Sequence, residues 1–250
     1  MSNIIQPSIM CKKGDISEKV IITGDPRRVL MMASLLEDSY KVAENRQYVT
    51  YNGYWKDEKI TILSTGIGAP ATAIALEEAK NIGAKKIIRV GTAGAMQPKI
   101  AIGDIIIPFA AVRDERTSLN YAQSSFPAVA DPTLYFRLNF FAEEEKIKTY
   151  KGIIWSSDVY YMSNYDELVN YWSARRIIAV EMECSILFTF AYIKGIQSAA
   201  ILVIDGNLVE GTMKKAMDEN QLEKDKKIIN ERLKIASKIA FNAILDDIHD

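Results

Sequence analysis

Short apolar runs rich in isoleucine and valine recur along the chain, separated by segments of helical periodicity. The runs are KVIITG (Lys19–Gly24), KITILS (Lys59–Ser64), KIIRVG (Lys86–Gly91), DIIIP (Asp104–Pro108), GIIWSS (Gly152–Ser157), IIAVEME (Ile177–Glu183) and AAILVID (Ala199–Asp205). Strands this uniformly apolar are buried on both faces, so helices must cover both sides of the sheet they form. Helical spacing is read over 27–37, 70–82, 132–147, 164–175, 184–194 and 219–246. YVTYNGYW (Tyr48–Trp55) alternates more and carries Asn52–Gly53, a hairpin signal. No repeat, low-complexity tract or linker interrupts the pattern. The expected fold class is α/β: one domain over 1–250, with a mixed, mainly parallel central β-sheet between two helical layers.

Bulk properties narrow the partners. Lys and Arg number 31 against 32 Asp and Glu, a net charge of −1, so nothing electrostatic favours nucleic acid or an anionic membrane. The longest apolar run, CSILFTFAYI, stops at Lys194 and is too short for a bilayer. The opening MSNIIQPSIMCKKG has no signal-peptide core, and Cys11 and Cys184 have no paired spacing. A reduced, cytoplasmic location is the expectation. The single histidine, His249, is next to the last residue, a poor place for a Ser–His triad, a Cys–His dyad or a zinc ligand. No metal site or organic cofactor is expected. Catalysis falls to Asp, Glu, Arg, backbone donors or the substrate itself.

Several strand ends carry chemistry. In AVEMEC, Glu181 and Glu183 would share one face of a strand, and like charges there need a ligand, a cation or solvent. A strand end in water and a ligand site both satisfy that requirement. GDPRR (Gly24–Arg28) follows a strand and opens a helix, a setting in which amides and an arginine suit an oxyanion. RVGTAG puts Arg89 inside an apolar strand with Thr92 just after it, and ENRQY adds Arg46. Each arginine alone suits a salt bridge; together, at strand ends, they suggest a phosphate pocket. STGIGAPATA fits G-x-G-x-x-A at Gly66, Gly68 and Ala71, but the next strand ends without an acidic residue for a ribose. A turn that brings backbone close to some other ligand fits better than a dinucleotide site.

GDPRR, ENRQY, TGIGAP, KKIIRVGTAGA, IGDIIIP, SSDVYY and AVEMEC, in this order and spacing, resemble the nucleoside phosphorylases of the trimeric and hexameric class. That class includes purine nucleoside, methylthioadenosine and uridine phosphorylases. The resemblance covers about residues 8–245 and looks closest to the archaeal branch. It implies phosphorolysis of a nucleoside, with inorganic phosphate as co-substrate and no other cofactor. It implies a phosphate site of the Gly24 amide, Arg28, Arg89 and Thr92, with Arg46 reaching the phosphate of a neighbouring subunit. It implies that Glu183 holds the ribose hydroxyls with Glu181 beside it, that Met182 packs on the sugar and that Tyr160 stacks on the nucleoside. Glu183, Arg89 and Asp205 are the expected catalytic groups. A homo-oligomer is implied, a hexamer built as a trimer of dimers.

Three departures from the family pattern matter. Related archaeal sequences have a histidine near the ribose 5′ end where this chain has Ser8. Uridine-specific members carry a Gln-x-Arg pair after the SSD aromatic, and YYMSNYDEL has none, so a purine-type or broad substrate is expected. Purine-cleaving members carry an Asp at the position of Gly206, and here Asp205 stands one place earlier. A one-residue shift on a strand turns the side chain to the other face, but Gly206 also permits a bulge that re-aims it. Alternative readings are a uridine phosphorylase, a hydrolytic nucleosidase, a nucleoside-binding homologue with weak or no catalysis, and an NAD-binding oxidoreductase read from Gly66–Ala71. The three arginines argue against the nucleosidase.

Overall fold

The computed structural model describes residues 4–211 and 219–245; His249 and the last residue of the expected 219–246 helix lie outside them. In chain order the elements are β1 (Lys19–Thr23), α1 (Pro26–Ala33), β2 (Glu37–Asn45), β3 (Tyr48–Trp55), β4 (Glu58–Ser64), α2 (Ala69–Asn81), β5 (Lys86–Ala95) and β6 (Ile105–Asp114). A 3-10 turn (Thr117–Asn120) leads to β7 (Ala128–Val129), α3 (Pro132–Glu144), β8 (Thr149–Ser157), α4 (Tyr165–Ala174), β9 (Ala179–Glu181), α5 (Cys184–Lys194), β10 (Gln197–Asn207) and α6 (Glu219–Ile244).

The strands form one mixed sheet in the order β10-β6-β8-β9-β5-β1-β4-β3-β2. Strands β4, β1, β5 and β10 pair parallel, the pattern expected of buried apolar strands. Because β10 pairs with both β5 and β6, the strands β5, β9, β8, β6 and β10 close into a ring. Closure removes a sheet edge, and it explains why β5 and β10 run past their apolar cores, to Ala95 and Asn207. The remaining strands fan out as an open wing.

Helix α6 packs on β10, β5 and β1 beside α1 and α3, and α5 packs on β10, β6 and β8 beside α2. On α6, Leu233, Ala236, Ala240, Phe241 and Ile244 are buried, at the spacing of one helical face, which leaves the charged residues in solvent. Asp25 and Asp131 cap α1 and α3 through their side chains, each with proline at the first helical position. Among the described residues no helix is long and apolar enough to cross a membrane.

Two sequence expectations need correction. Asn52–Gly53 is not a turn: both lie inside β3, opposite Thr61 and Ile60. The Asn52 side chain accepts from Thr61 Oγ1 at 2.7 Å and donates to the Asp15 carbonyl at 2.8 Å. A Cβ on Gly53 would lie 2.7 Å from Leu36 Cβ, so glycine is there for close packing. The chain reverses instead between β2 and β3 and between β3 and β4, where Arg46, Lys56 and Asp57 take positive φ. The strand expected to reach Glu183 stops at Glu181, because Glu183 already occupies the N-terminal flank of α5.

Candidate active site

The carboxyl ends of β1, β4, β5 and β10 and the β9–α5 junction open onto a cavity of about 680 Å³, a volume typical of small-molecule sites. Gly24, Arg28, Arg89, Thr92, Tyr160, Glu181, Met182, Glu183 and Asp205 all line it. These nine expected site residues, scattered over the sequence, therefore share one space.

One end of the cavity is cationic. Arg28, in the first turn of α1, donates from Nη2 to Thr92 Oγ1 at 3.3 Å. Arg89 is only 4% exposed. A Cβ at residue 91 would lie 2.8 Å from Arg89 Cζ, so glycine there lets the guanidinium fold back over its own strand. Burial and the nearby Arg89 charge both pull the Arg28 guanidinium below its usual range. Burial also pulls on Arg89, but the carboxylates of Glu183 and Glu181 outweigh it and leave the guanidinium raised.

The two glutamates meet at Arg89 by different routes. Glu181 Oε2 accepts from Arg89 Nε at 3.2 Å, and Glu183 Oε2 accepts from Arg89 Nη2. Glu181 also accepts from Ser156 Oγ and from the amides of Glu183 and Cys184 at the start of α5. A carboxylate offers roughly four acceptor sites, so the four donors around Glu181 fill it. Glu183 also accepts the Gly68 amide at 2.6 Å to Oε1 and is favoured in its charged form by the Met182 amide, which leaves it less fully occupied than Glu181. Burial pushes the Glu183 carboxyl above the usual range; Arg89 pulls it down and Glu181 pushes it up again. Gly66 and Gly68 both have positive φ, and this glycine loop brings its backbone to a carboxylate of the protein itself.

The other end is apolar, with Val159, Tyr160, Met162, Tyr165 and Leu208 in its wall. Behind it Trp155 and Trp172 pack with rings 5.8 Å apart and support α4. Asp205 is half-buried and lines the same cavity, close enough to Arg28 for its carboxylate to act on that guanidinium. The β10–β5 ladder runs from Ile204 opposite Ala93 directly to Gly206 opposite Gly94, so Asp205 is the extra residue of a bulge. A regular strand would have turned it to the opposite face; the bulge re-aims it.

Ser8 and Arg46 do not line the cavity of their own chain. Asn45 Nδ2 donates to the Ser8 carbonyl at 2.8 Å, which holds Ser8 beside the β2–β3 turn where Arg46 is exposed. The Ser8 amide is fixed by Glu78 of α2, at 2.9 Å to Oε2. Sequence reasoning missed Ser156, Gln47 and Leu208. Ser156 stood in the SSD motif and Gln47 in ENRQY, each without a role, and Leu208 carried no signal.

The sequence profile of the phosphorylase superfamily matches residues 18–241. The chain belongs to that superfamily. Its enzyme class is nucleoside phosphorylase, a pentosyltransferase. It is 38% identical over 239 residues to a guanosine phosphorylase from Halorubrum lacusprofundi, an alignment covering 96% of this chain and 98% of the relative. It is 39% identical over 224 residues to a uridine phosphorylase from Thermococcus kodakarensis, covering 85% of this chain and 81% of that one. The crystal structure of uridine phosphorylase from Vibrio fischeri superposes on this phosphorylase with a TM-score of 0.90 at 38% identity, covering 98% of each chain.

Proposed function

We propose that this phosphorylase cleaves the N-glycosidic bond of a purine-type nucleoside with inorganic phosphate, giving free base and ribose 1-phosphate. Phosphate binds the Gly24 amide, Arg28, Arg89 and Thr92. The remaining acceptor capacity of Glu183 takes the ribose 2′- and 3′-hydroxyls, Met182 packs on the sugar, and Tyr160 stacks on the base. Bond cleavage builds positive charge at C1′, as in glycoside hydrolysis. The bound phosphate stabilises that charge and attacks C1′ with inversion, and the enzyme contributes positioning and electrostatics. The observation that supports a purine base is the β10 bulge, which leaves Asp205 lining the cavity. There its carboxyl can protonate the leaving base as negative charge develops.

A uridine-cleaving enzyme is the second reading, favoured by the identity with the Thermococcus kodakarensis relative. The outward Ser8–Arg46 corner supports a homo-oligomer, a hexamer built as a trimer of dimers, in which each subunit offers these two residues to a neighbour's site. A panel of adenosine, inosine, guanosine and uridine, incubated with and without phosphate and assayed for free base, tests the proposal. Phosphate-dependent release from purine nucleosides is expected. Release only from uridine establishes the second reading, release without phosphate a hydrolase, and binding without turnover a non-catalytic homologue.

A further inference from the structure

Behind the cavity a chain of buried polar groups runs from the β6–β7 connection to Arg89. Glu115, Ser185, Ser156, Glu181 and Arg89 are each at most 5% exposed. Ser185 Oγ donates to Glu115 Oε1 at 2.9 Å, and Glu115 Oε2 accepts the Ser118 amide at 2.8 Å. The Ser185 amide donates to Ser156 Oγ at 3.0 Å, and Ser156 Oγ donates to Glu181 Oε1. The directions are fixed: an amide N–H can only donate, so the Ser156 hydroxyl receives from Ser185 and turns its own proton to Glu181. Glu181 then has a protein donor for each of its roughly four acceptor sites. Arg89 is held at Nε and Nη2, with the Cys184 thiol nearby, and among the described residues no hydrogen bond from Nη1 meets the distance and angle of a normal one.

We propose that Ser156 and Glu181 are positioning residues: they lock the Arg89 guanidinium so that its unused Nη1 donors face the phosphate end of the cavity. The inference rests on the phosphate site proposed above. It reassigns Glu181 from the nucleoside to the support of Arg89, and it gives Ser156 a function. Without the Ser156 hydroxyl, Glu181 loses a donor and can rotate about its remaining amide contacts. Arg89 Nε then follows it, and the terminal donors lose their aim. Geometry of this kind governs how well a charged donor meets an oxyanion. Ser185 offers an internal control, because its amide holds Ser156 while its hydroxyl serves only Glu115.

Calorimetric titration with inorganic phosphate, which needs no turnover, tests this on wild type, Ser156→Ala, Glu181→Gln and Ser185→Ala, with steady-state KM values measured alongside. Ser156→Ala and Glu181→Gln should weaken phosphate binding about tenfold or more, the scale of a lost hydrogen bond to a charged group. KM for nucleoside should change less than phosphate affinity, because Glu183 keeps its Gly68 bond. Ser185→Ala should lower the melting temperature and leave phosphate affinity unchanged. Unchanged phosphate affinity in Ser156→Ala would overturn the proposal while leaving the phosphate site intact. Equal loss in Ser185→Ala would reduce the effect to general packing. No phosphate binding by wild type would remove the site and this inference together.

Discussion

The Gly68 amide donates to Glu183 Oε1 at 2.6 Å, joining the loop before α2 to the start of α5 across 115 residues of chain. Gly68 has φ 89° and ψ 160°, a region essentially reserved for glycine. A Cβ there meets no atom closer than 3.9 Å, so the constraint is the backbone conformation and not space. Gly68→Ala should destabilise the fold by about 1–3 kcal/mol and raise KM for nucleoside more than KM for phosphate. Thermal melting and steady-state kinetics check both; an equal change in the two KM values would separate Gly68 from the ribose carboxylate.

Phosphate affinity is best probed at Arg28. Removing Arg89 leaves two carboxylates buried without their shared cation, a change that costs on the order of 3–5 kcal/mol in stability and confounds kinetics. Arg28 has one hydrogen bond to the described protein, to Thr92, and is held against burial and a like charge. Arg28→Ala should therefore fold at least as stably as wild type. It should lose about 2–4 kcal/mol of transition-state stabilisation, read as kcat/KM for phosphate. Added phosphate should raise the melting temperature of wild type and raise that of the variant much less.

The raised Glu183 carboxyl gives two pH effects of opposite sign. Between the ordinary glutamate value of 4.5 and the raised value, the folded protein holds a proton that the unfolded chain has released. Its contribution to stability is complete below that window and is lost as pH rises through it. Protonation also removes ribose acceptors, so nucleoside binding should weaken as pH falls through the same window. Melting curves and KM for nucleoside, measured against pH for wild type and Glu183→Gln, check this. An acid limb at the ordinary glutamate value would contradict the burial argument.

The elements legible in the sequence were those whose burial dictates composition. The parallel strands read as unbroken apolar runs, and α5 matched its expected span at both ends. Strand β2 went unread because its residues, EDSYKVAEN, are mostly exposed and carry no alternation. Asn52–Gly53 misled because a turn signal and a packing glycine look alike locally, while the real turns use Arg46, Lys56 and Asp57. The cationic end of the site was legible because a buried arginine demands partners. Its partners were less so: the links from Glu183 to Gly68 and from Glu181 to Ser156 join segments far apart in sequence. At Asp205 the sequence left two outcomes open, a side chain turned to the other face or a bulge permitted by Gly206, and the ladder shows the bulge.

The Ser8–Arg46 corner predicts assembly. Light scattering at micromolar concentration should give a hexamer, and Arg46→Ala should raise KM for phosphate without changing the mass. A monomer with full activity would remove both residues from any site.

The central claim, purine phosphorolysis with Asp205 as the acid, is tested most directly by comparing wild type with Asp205→Asn on adenosine, inosine and guanosine at saturating phosphate. The amide keeps the shape of the side chain and removes the proton. Loss of at least ~10²-fold in kcat, the lower end for general acid catalysis, is predicted. An unchanged kcat would contradict it.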